Sequence, residues 1–183
     1  MFIMDLGPAV KSREIFNDNP AVIVKEMSTF QEIEHGLWGE YKGDLKHWWR
    51  TDPAGLRRAL WPCRDVMETL GNTFTRAKYC RQSIASDDRM EWVIITWLPG
   101  QSTSIHGHPS GGCVFFVLKG SLQETLYDTN DTDGNIRVWT EEDAPAYIDD
   151  HMGKHVVRNI SESPAISIHL YSPPFSKGVV NTY

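Results

Sequence analysis

Between residues 74 and 171 the chain breaks into short β-rich segments separated by turn residues, and this rhythm limits the fold more than any other feature. Residues 74–81 alternate roughly as a strand does. Residues 90–98 form a near-continuous β-rich run ended by Pro99-Gly100. Residues 113–118 form another. Residues 122–127 alternate and lead into an acidic loop whose Asp133-Gly134 turn precedes residues 136–139. Residues 145–148, 155–160 and 165–171 complete the series. So many short strands with Gly, Pro and Asp punctuation predict a sandwich or barrel. The acidic residues at 128–133 have some character of a calcium loop. They lack a bidentate Glu at the usual downstream spacing, so a solvated turn is expected.

The preceding third reads as helical. Ser28 or Thr29 can cap a helix, with Glu32 as the capping-box partner of Thr29 and Phe30, Ile33, Leu37 and Tyr41 as its apolar stripe. A second helix is expected around His47, Trp48 and Trp49, a third over residues 53–60, and a short fourth over residues 65–70, stopped by Gly71-Asn72. Trp48, Trp49 and Trp61 are expected to pack against a sheet rather than stack on a ligand. At 183 residues the whole fits one domain, with residues 1–72 mainly helical, 73–175 forming the β-structure and 176–183 a tail.

Composition removes several function classes. The net charge is −6 and no Lys/Arg cluster appears, which argues against a nucleic-acid partner. No apolar run approaches the roughly 20 residues of a membrane helix, and the N-terminus lacks the basic and apolar regions of a signal peptide. Cys63, Cys80 and Cys113 are widely spaced and odd in number, so neither a disulfide framework nor a paired zinc spacing is expected. A cytoplasmic location suits them.

The chemistry concentrates between Gly100 and Gly120. His106 and His108 lie two residues apart, with Cys113 five residues further on. In a strand, residues i and i+2 face the same side, so two imidazoles can reach one metal ion. A structural or surface role for such histidines is the plainer alternative, and spacing alone leaves both open. His35 and His47 have no metal-like partner nearby in the sequence and read as structural or surface residues. His151 reads as a surface or entrance residue.

Residues 100–120 resemble the first motif of the cupins: Gly, five residues, His-x-His, one further ligand-type position, six residues, Gly. His155 and Asn159 match the end of the second motif. Cys113 stands where many cupins carry a Glu ligand, and this points to one branch: the chain resembles the cysteine dioxygenases. The segment Ser167-Ile-His169-Leu-Tyr171-Ser-Pro-Pro-Phe175, the strand after Gly120, and Tyr79-Cys-Arg81 are similar to that family in the same order, over residues 79–175.

The resemblance implies an all-β core with N-terminal helices, a cupin barrel of the double-stranded β-helix or jelly-roll type. It implies Fe(II) held by His106, His108 and His155, three neutral ligands where two His and a carboxylate are commoner. Arg81, supported by Tyr79, would hold a substrate carboxylate. Cys113 and Tyr171 would form a thioether cross-link, and Ser167 and His169 would relay hydrogen bonds to the Tyr171 hydroxyl. Ser172-Pro173 is expected as a cis peptide. The implied activity is oxidation of L-cysteine by O2 to cysteine sulfinic acid, by a monomer. Two alternatives stay open: the same iron site acting on another small thiol such as 3-mercaptopropionate or giving a different product, and a non-enzymatic metal-binding cupin. The Gly-rich loop around Gly107, Gly111 and Gly112 is the departure that motivates the first alternative, because it could widen the pocket or loosen the loop.

Overall fold

The computed structural model describes residues 44–60, 64, 74–128 and 134–175. The helix expected near residue 30, the one over 65–70, His35, Trp61, Cys63 and most of the acidic loop lie outside the described residues. Helix α1 spans Leu45–Thr51. Asp44 caps it, its side chain accepting the backbone N–H of His47 at 2.9 Å. Helix α2 spans Pro53–Leu60 and starts on a proline, which needs no hydrogen-bond partner there. Among the described residues, no helix is long and apolar enough to cross a membrane.

Eight strands follow: β1 (Cys80–Ser86), β2 (Glu91–Trp97), β3 (Cys113–Lys119), β4 (Ser121–Tyr127), β5 (Asn135–Thr140), β6 (Ala146–Ile148), β7 (Lys154–Asn159) and β8 (Ala165–Tyr171). They form two antiparallel sheets, ordered β1-β2-β8-β3-β6 and β5-β4-β7. This is the double-stranded β-helix that the motifs imply. The two sheets do not join, however, into one closed barrel. The first strand also differs from expectation. The alternation over residues 74–79 is bent chain, and pairing starts at Cys80 because its partner Thr96 is near the end of β2.

Strands β2, β3 and β8 read as continuous apolar runs because the five-stranded sheet is covered on both faces. Trp92, Ile94, Val114, Phe116, Ile168 and Leu170 form the outer core, against which Leu45, Trp48 and Trp49 pack. The helical tryptophans are thus core residues, and Trp49 also donates its indole N–H to the Pro145 carbonyl at 3.0 Å. The other face, with Val93, Ile95, Trp97, Cys113 and Phe115, meets Leu122 and Val157 of the smaller sheet. Fully burying each such large apolar side chain contributes about 1.5–3 kcal/mol. The inner face is therefore largely apolar, and buried polar side chains such as Glu91, Ser167 and His169 stand out on it.

Candidate metal centre

His106 and His108 do not lie in a strand. Residues 101–106 run as an irregular segment beside β7, pinned at the isolated pairs Ser102–Arg158 and His106–His155. The His106 and His155 backbones exchange hydrogen bonds of 3.1 and 3.0 Å, which sets the two residues directly opposite. His108 comes inward after Gly107, its backbone N–H donating to Asp150 Oδ1 at 2.6 Å. The Gly, Pro and Ser content of this segment accounts for the missing ladder, and the bridge to β7 takes over the role expected of strand pleat.

The three imidazoles close into a triangle. Ring centroids are 5.3 Å apart for His106–His108 and 4.6 Å for each of the pairs with His155. One ring nitrogen from each lies within 4.8 Å of the others. Burial pushes the pKa of His106 down and those of His108 and His155 further down, so all three are neutral at neutral pH. His106 Nδ1 faces the Ser104 carbonyl at 3.0 Å, and His155 Nδ1 faces Glu124 Oε1 at 2.7 Å. Both acceptors require the proton on Nδ1. The two Nε2 atoms, 3.2 Å apart, are then bare lone pairs facing each other. His108 Nδ1 is buried with no partner. Facing lone pairs at this distance repel unless a cation lies between them, so the donor set fits a metal ion.

Glu124 is the residue the sequence reading missed. Its carboxylate is 5 % exposed and also accepts the Trp139 indole N–H at 2.9 Å. Burial raises its pKa, against the opposing pull of Trp139 and Arg137. Since His155 is neutral, the contact is an imidazole N–H donating to a carboxylate rather than an ion pair. It fixes the tautomer and orientation of the ring, as outer carboxylates do for metal-bound histidines. Its signal was available: Glu124 shares the buried parity of Leu122 in an alternating strand.

One cavity of about 120 Å³ is lined by Tyr79, Arg81, His106, His155, His169 and Tyr171. Ile95, Trp97, Val157 and Phe175 supply its apolar walls. A cavity of this size suits a small ligand such as a thiol amino acid. Arg81 reaches it with its guanidinium carbon 5.6 Å from the Tyr171 ring and 5.2 Å from the Phe175 ring. One arm is taken by Glu91, Nη2 to Oε2 at 2.8 Å. Tyr79 precedes β1 rather than sharing its face with Arg81, and its ring packs on Trp97 at 4.9 Å.

Ser167, His169 and Tyr171 share the inner face of β8. Trp97 donates to Ser167 Oγ at 3.0 Å, and Ser167 Oγ meets His169 Nε2 at 2.8 Å. The last link of the expected relay is different. His169 Nδ1 lies 3.9 Å from Cys113 Sγ, and the His169 ring stacks parallel to Tyr171, 8° between planes, so its nitrogen edge does not address the phenol. Cys113 and Tyr171 are direct partners across β3 and β8. Burial pushes both the Cys113 thiol and the Tyr171 phenol up, so both stay protonated. Cys113 and Cys80 are free thiols.

At the Gly-rich loop, neighbouring atoms stand close to the glycines. A Cβ at Gly107 would meet Asp150 Oδ1 at 2.5 Å, and one at Gly112, whose φ is +80°, would meet the Ile148 carbonyl at 2.6 Å. The space of the missing side chains is filled. Ser172-Pro173, which the loop contacts through Gly111, is cis. His47 lies in α1, away from the cluster, and His151 is exposed.

Residues 69–183, more than half of the chain, match the family described as cysteine dioxygenase type I. Cysteine dioxygenase type 1 of Rattus norvegicus is 37 % identical over 109 residues, covering 56 % of this chain and 54 % of that protein. The Homo sapiens protein of that name is 38 % identical over the same shares, and the Danio rerio one 36 % identical over 110 residues, 56 % and 55 % of the two chains. This chain thus spans about half the length of the curated relatives it matches. Two solved structures share the fold alone. They are TT1209 from Thermus thermophilus (TM-score 0.50, 20 % identity, 58 % of this chain and 94 % of that one) and BH2720 from Bacillus halodurans (TM-score 0.51, 18 %, 65 % and 84 %). With the motif residues at 106, 108, 155 and 167–171 inside the matched span, the chain belongs to the cysteine dioxygenase type I family.

Proposed function

We propose that this chain is an iron-dependent thiol dioxygenase that converts L-cysteine and O2 to cysteine sulfinic acid. The observation that carries this reading is the cluster of three neutral imidazoles, two of which, His106 and His155, line one cavity of about 120 Å³ together with Arg81 and Tyr171. When bound, Fe(II) supplies a redox-active Lewis acid that brings thiolate and dioxygen together. His106, His108 and His155 hold it without adding negative charge, which suits an anionic sulfur ligand. Glu124 keeps the His155 proton on Nδ1 and its Nε2 lone pair free. Arg81 takes the substrate carboxylate, and Ile95, Trp97 and Val157 keep water from the sulfur. The protonated Tyr171 hydroxyl offers a hydrogen bond to the developing oxygens. The reaction balances with no further reductant: the thiol and both atoms of dioxygen appear in the sulfinic acid.

Cys113 and Tyr171 are the pair for a thioether. Its formation joins sulfur to the ring carbon beside the hydroxyl and removes two hydrogen atoms, with dioxygen as oxidant. Their direct pairing across β3 and β8 supports this. The alternative, another small thiol or another product at the same iron site, is separated by the same assay that tests this reading. The test is oxygen uptake by ferrous protein with L-cysteine, 3-mercaptopropionate and cysteamine. L-Cysteine is expected to drive the fastest uptake, equimolar with sulfinate formed. Faster uptake with 3-mercaptopropionate moves the substrate, and no uptake with any thiol leaves a metal-binding cupin.

A further inference from the structure

The Arg81–Glu91 contact carries more than a structural ion pair. Glu91, Tyr171 and Cys113 lie in one row across β2, β8 and β3, so their side chains share the inner face. Arg81 pairs with Ile95, four residues along β2 from Glu91, on the order of 13 Å at 3.3 Å per residue. Its side chain therefore runs along the sheet to reach the carboxylate, and this course lays the guanidinium over Tyr171 and Phe175. Glu91 is only 4 % exposed. Its Oε2 accepts both Arg81 Nη2 at 2.8 Å and the Phe175 backbone N–H at 3.1 Å, so it is held from behind by the chain leaving β8. Arg81 lines the cavity and Glu91 does not.

We propose that Glu91 is a positioning residue that sets how strongly Arg81 grips the substrate's carboxylate. It aims the guanidinium, occupies one of its edges, and offsets its charge, leaving a single free edge for the ligand. This deepens the proposed function and rests on Arg81 being the carboxylate anchor. An uncompensated arginine, even one whose side chain is 30 % exposed, holds an anion more tightly than one whose charge a neighbouring carboxylate offsets. The sulfinate product keeps the carboxylate that Arg81 holds, so a charge-offset anchor favours its release.

The test measures binding of L-cysteine and of cysteamine, which lacks a carboxylate, to anaerobic ferrous protein by calorimetry. Glu91→Gln keeps the side-chain length and an acceptor for Phe175 but removes the charge. It is expected to tighten L-cysteine by about threefold to tenfold and to leave cysteamine within about twofold. Glu91→Asp keeps the charge but shortens the reach, and shifts L-cysteine the same way by less. It also serves if the Gln variant does not fold. A purely structural Glu91 gives equal changes for both ligands, or weaker binding of both, and either result overturns the proposal. The readout needs no turnover. Failure of oxygen uptake with a retained cysteine-selective shift refutes the proposed activity alone, and normal uptake with no selective shift refutes the role of Glu91 alone.

Discussion

Replacing Glu124 by Gln tests how the site holds its metal. The carboxylate accepts two buried donors, His155 Nδ1–H at 2.7 Å and Trp139 Nε1–H at 2.9 Å. A glutamine has one oxygen. With that oxygen toward His155, its NH2 group confronts the Trp139 N–H, donor against donor. With the amide turned the other way, the NH2 group drives the His155 proton to Nε2 and removes the lone pair the metal needs. Neither orientation satisfies both neighbours. Loss of an outer partner of a ligating histidine costs about 10- to 100-fold in metal affinity, or roughly 1.4–2.7 kcal/mol. The stability of the metal-free chain should change less, because the variant also removes a buried charge whose pKa burial has raised. Competition with a chelator of known strength for Fe(II), beside melting curves of the metal-free proteins, separates the two effects. Metal binding by the variant within about twofold of the parent would show that Glu124 does not set the His155 tautomer.

Ser167→Ala leaves two buried groups, Trp97 Nε1–H and His169 Nε2, without their partner and should cost about 1–3 kcal/mol each in denaturant unfolding. Gly112→Ala should lower stability by about 2 kcal/mol or more, because its φ is +80° and the new Cβ meets backbone at 2.6 Å; melting temperature reads it. Metal-free protein should lose stability as pH falls below about 6.5. His108, His155 and His169 have folded pKa values well below the unfolded one, so the unfolded state takes up protons first. Glu124, whose folded pKa is raised, acts with the opposite sign below that range, but one carboxylate does not offset several imidazoles. Denaturant titrations between pH 5 and 7, flanking the unperturbed histidine pKa of about 6.5, check the slope.

Much of this fold was readable from strand rhythm because β2, β3 and β8 are buried on both faces and their residue choice is dictated by that burial. The start of β1 was not, because residues 74–79 alternate without a partner to pair with. The cluster of His106, His108 and His155, which could hold a metal ion, lies where the motif spacing put those residues, though through a loop bridged to β7 rather than a pleated strand. The two decisive carboxylates escaped for one reason. Glu124 meets His155 across 31 residues, and Glu91 meets Arg81 along a strand pair rather than across it. Register between strands sets both contacts, and local pattern does not specify register. What the pattern does show is each Glu on an apolar parity, a position that asks for a buried partner. The expected His169–Tyr171 hydrogen bond failed on a different ground. Sharing a strand face brings two rings side by side, and here they stack, leaving the nitrogen edge to Cys113.

In the proposed reaction both atoms of one dioxygen molecule end on the sulfur of a cysteine held between the three histidines and Arg81. Turnover of ferrous protein with L-cysteine under isotopically heavy dioxygen, with the product weighed by mass spectrometry, tests it most directly. The expected product is cysteine sulfinic acid carrying two heavy oxygens. A product with one heavy oxygen, with none, or a disulfide in place of the sulfinate contradicts it.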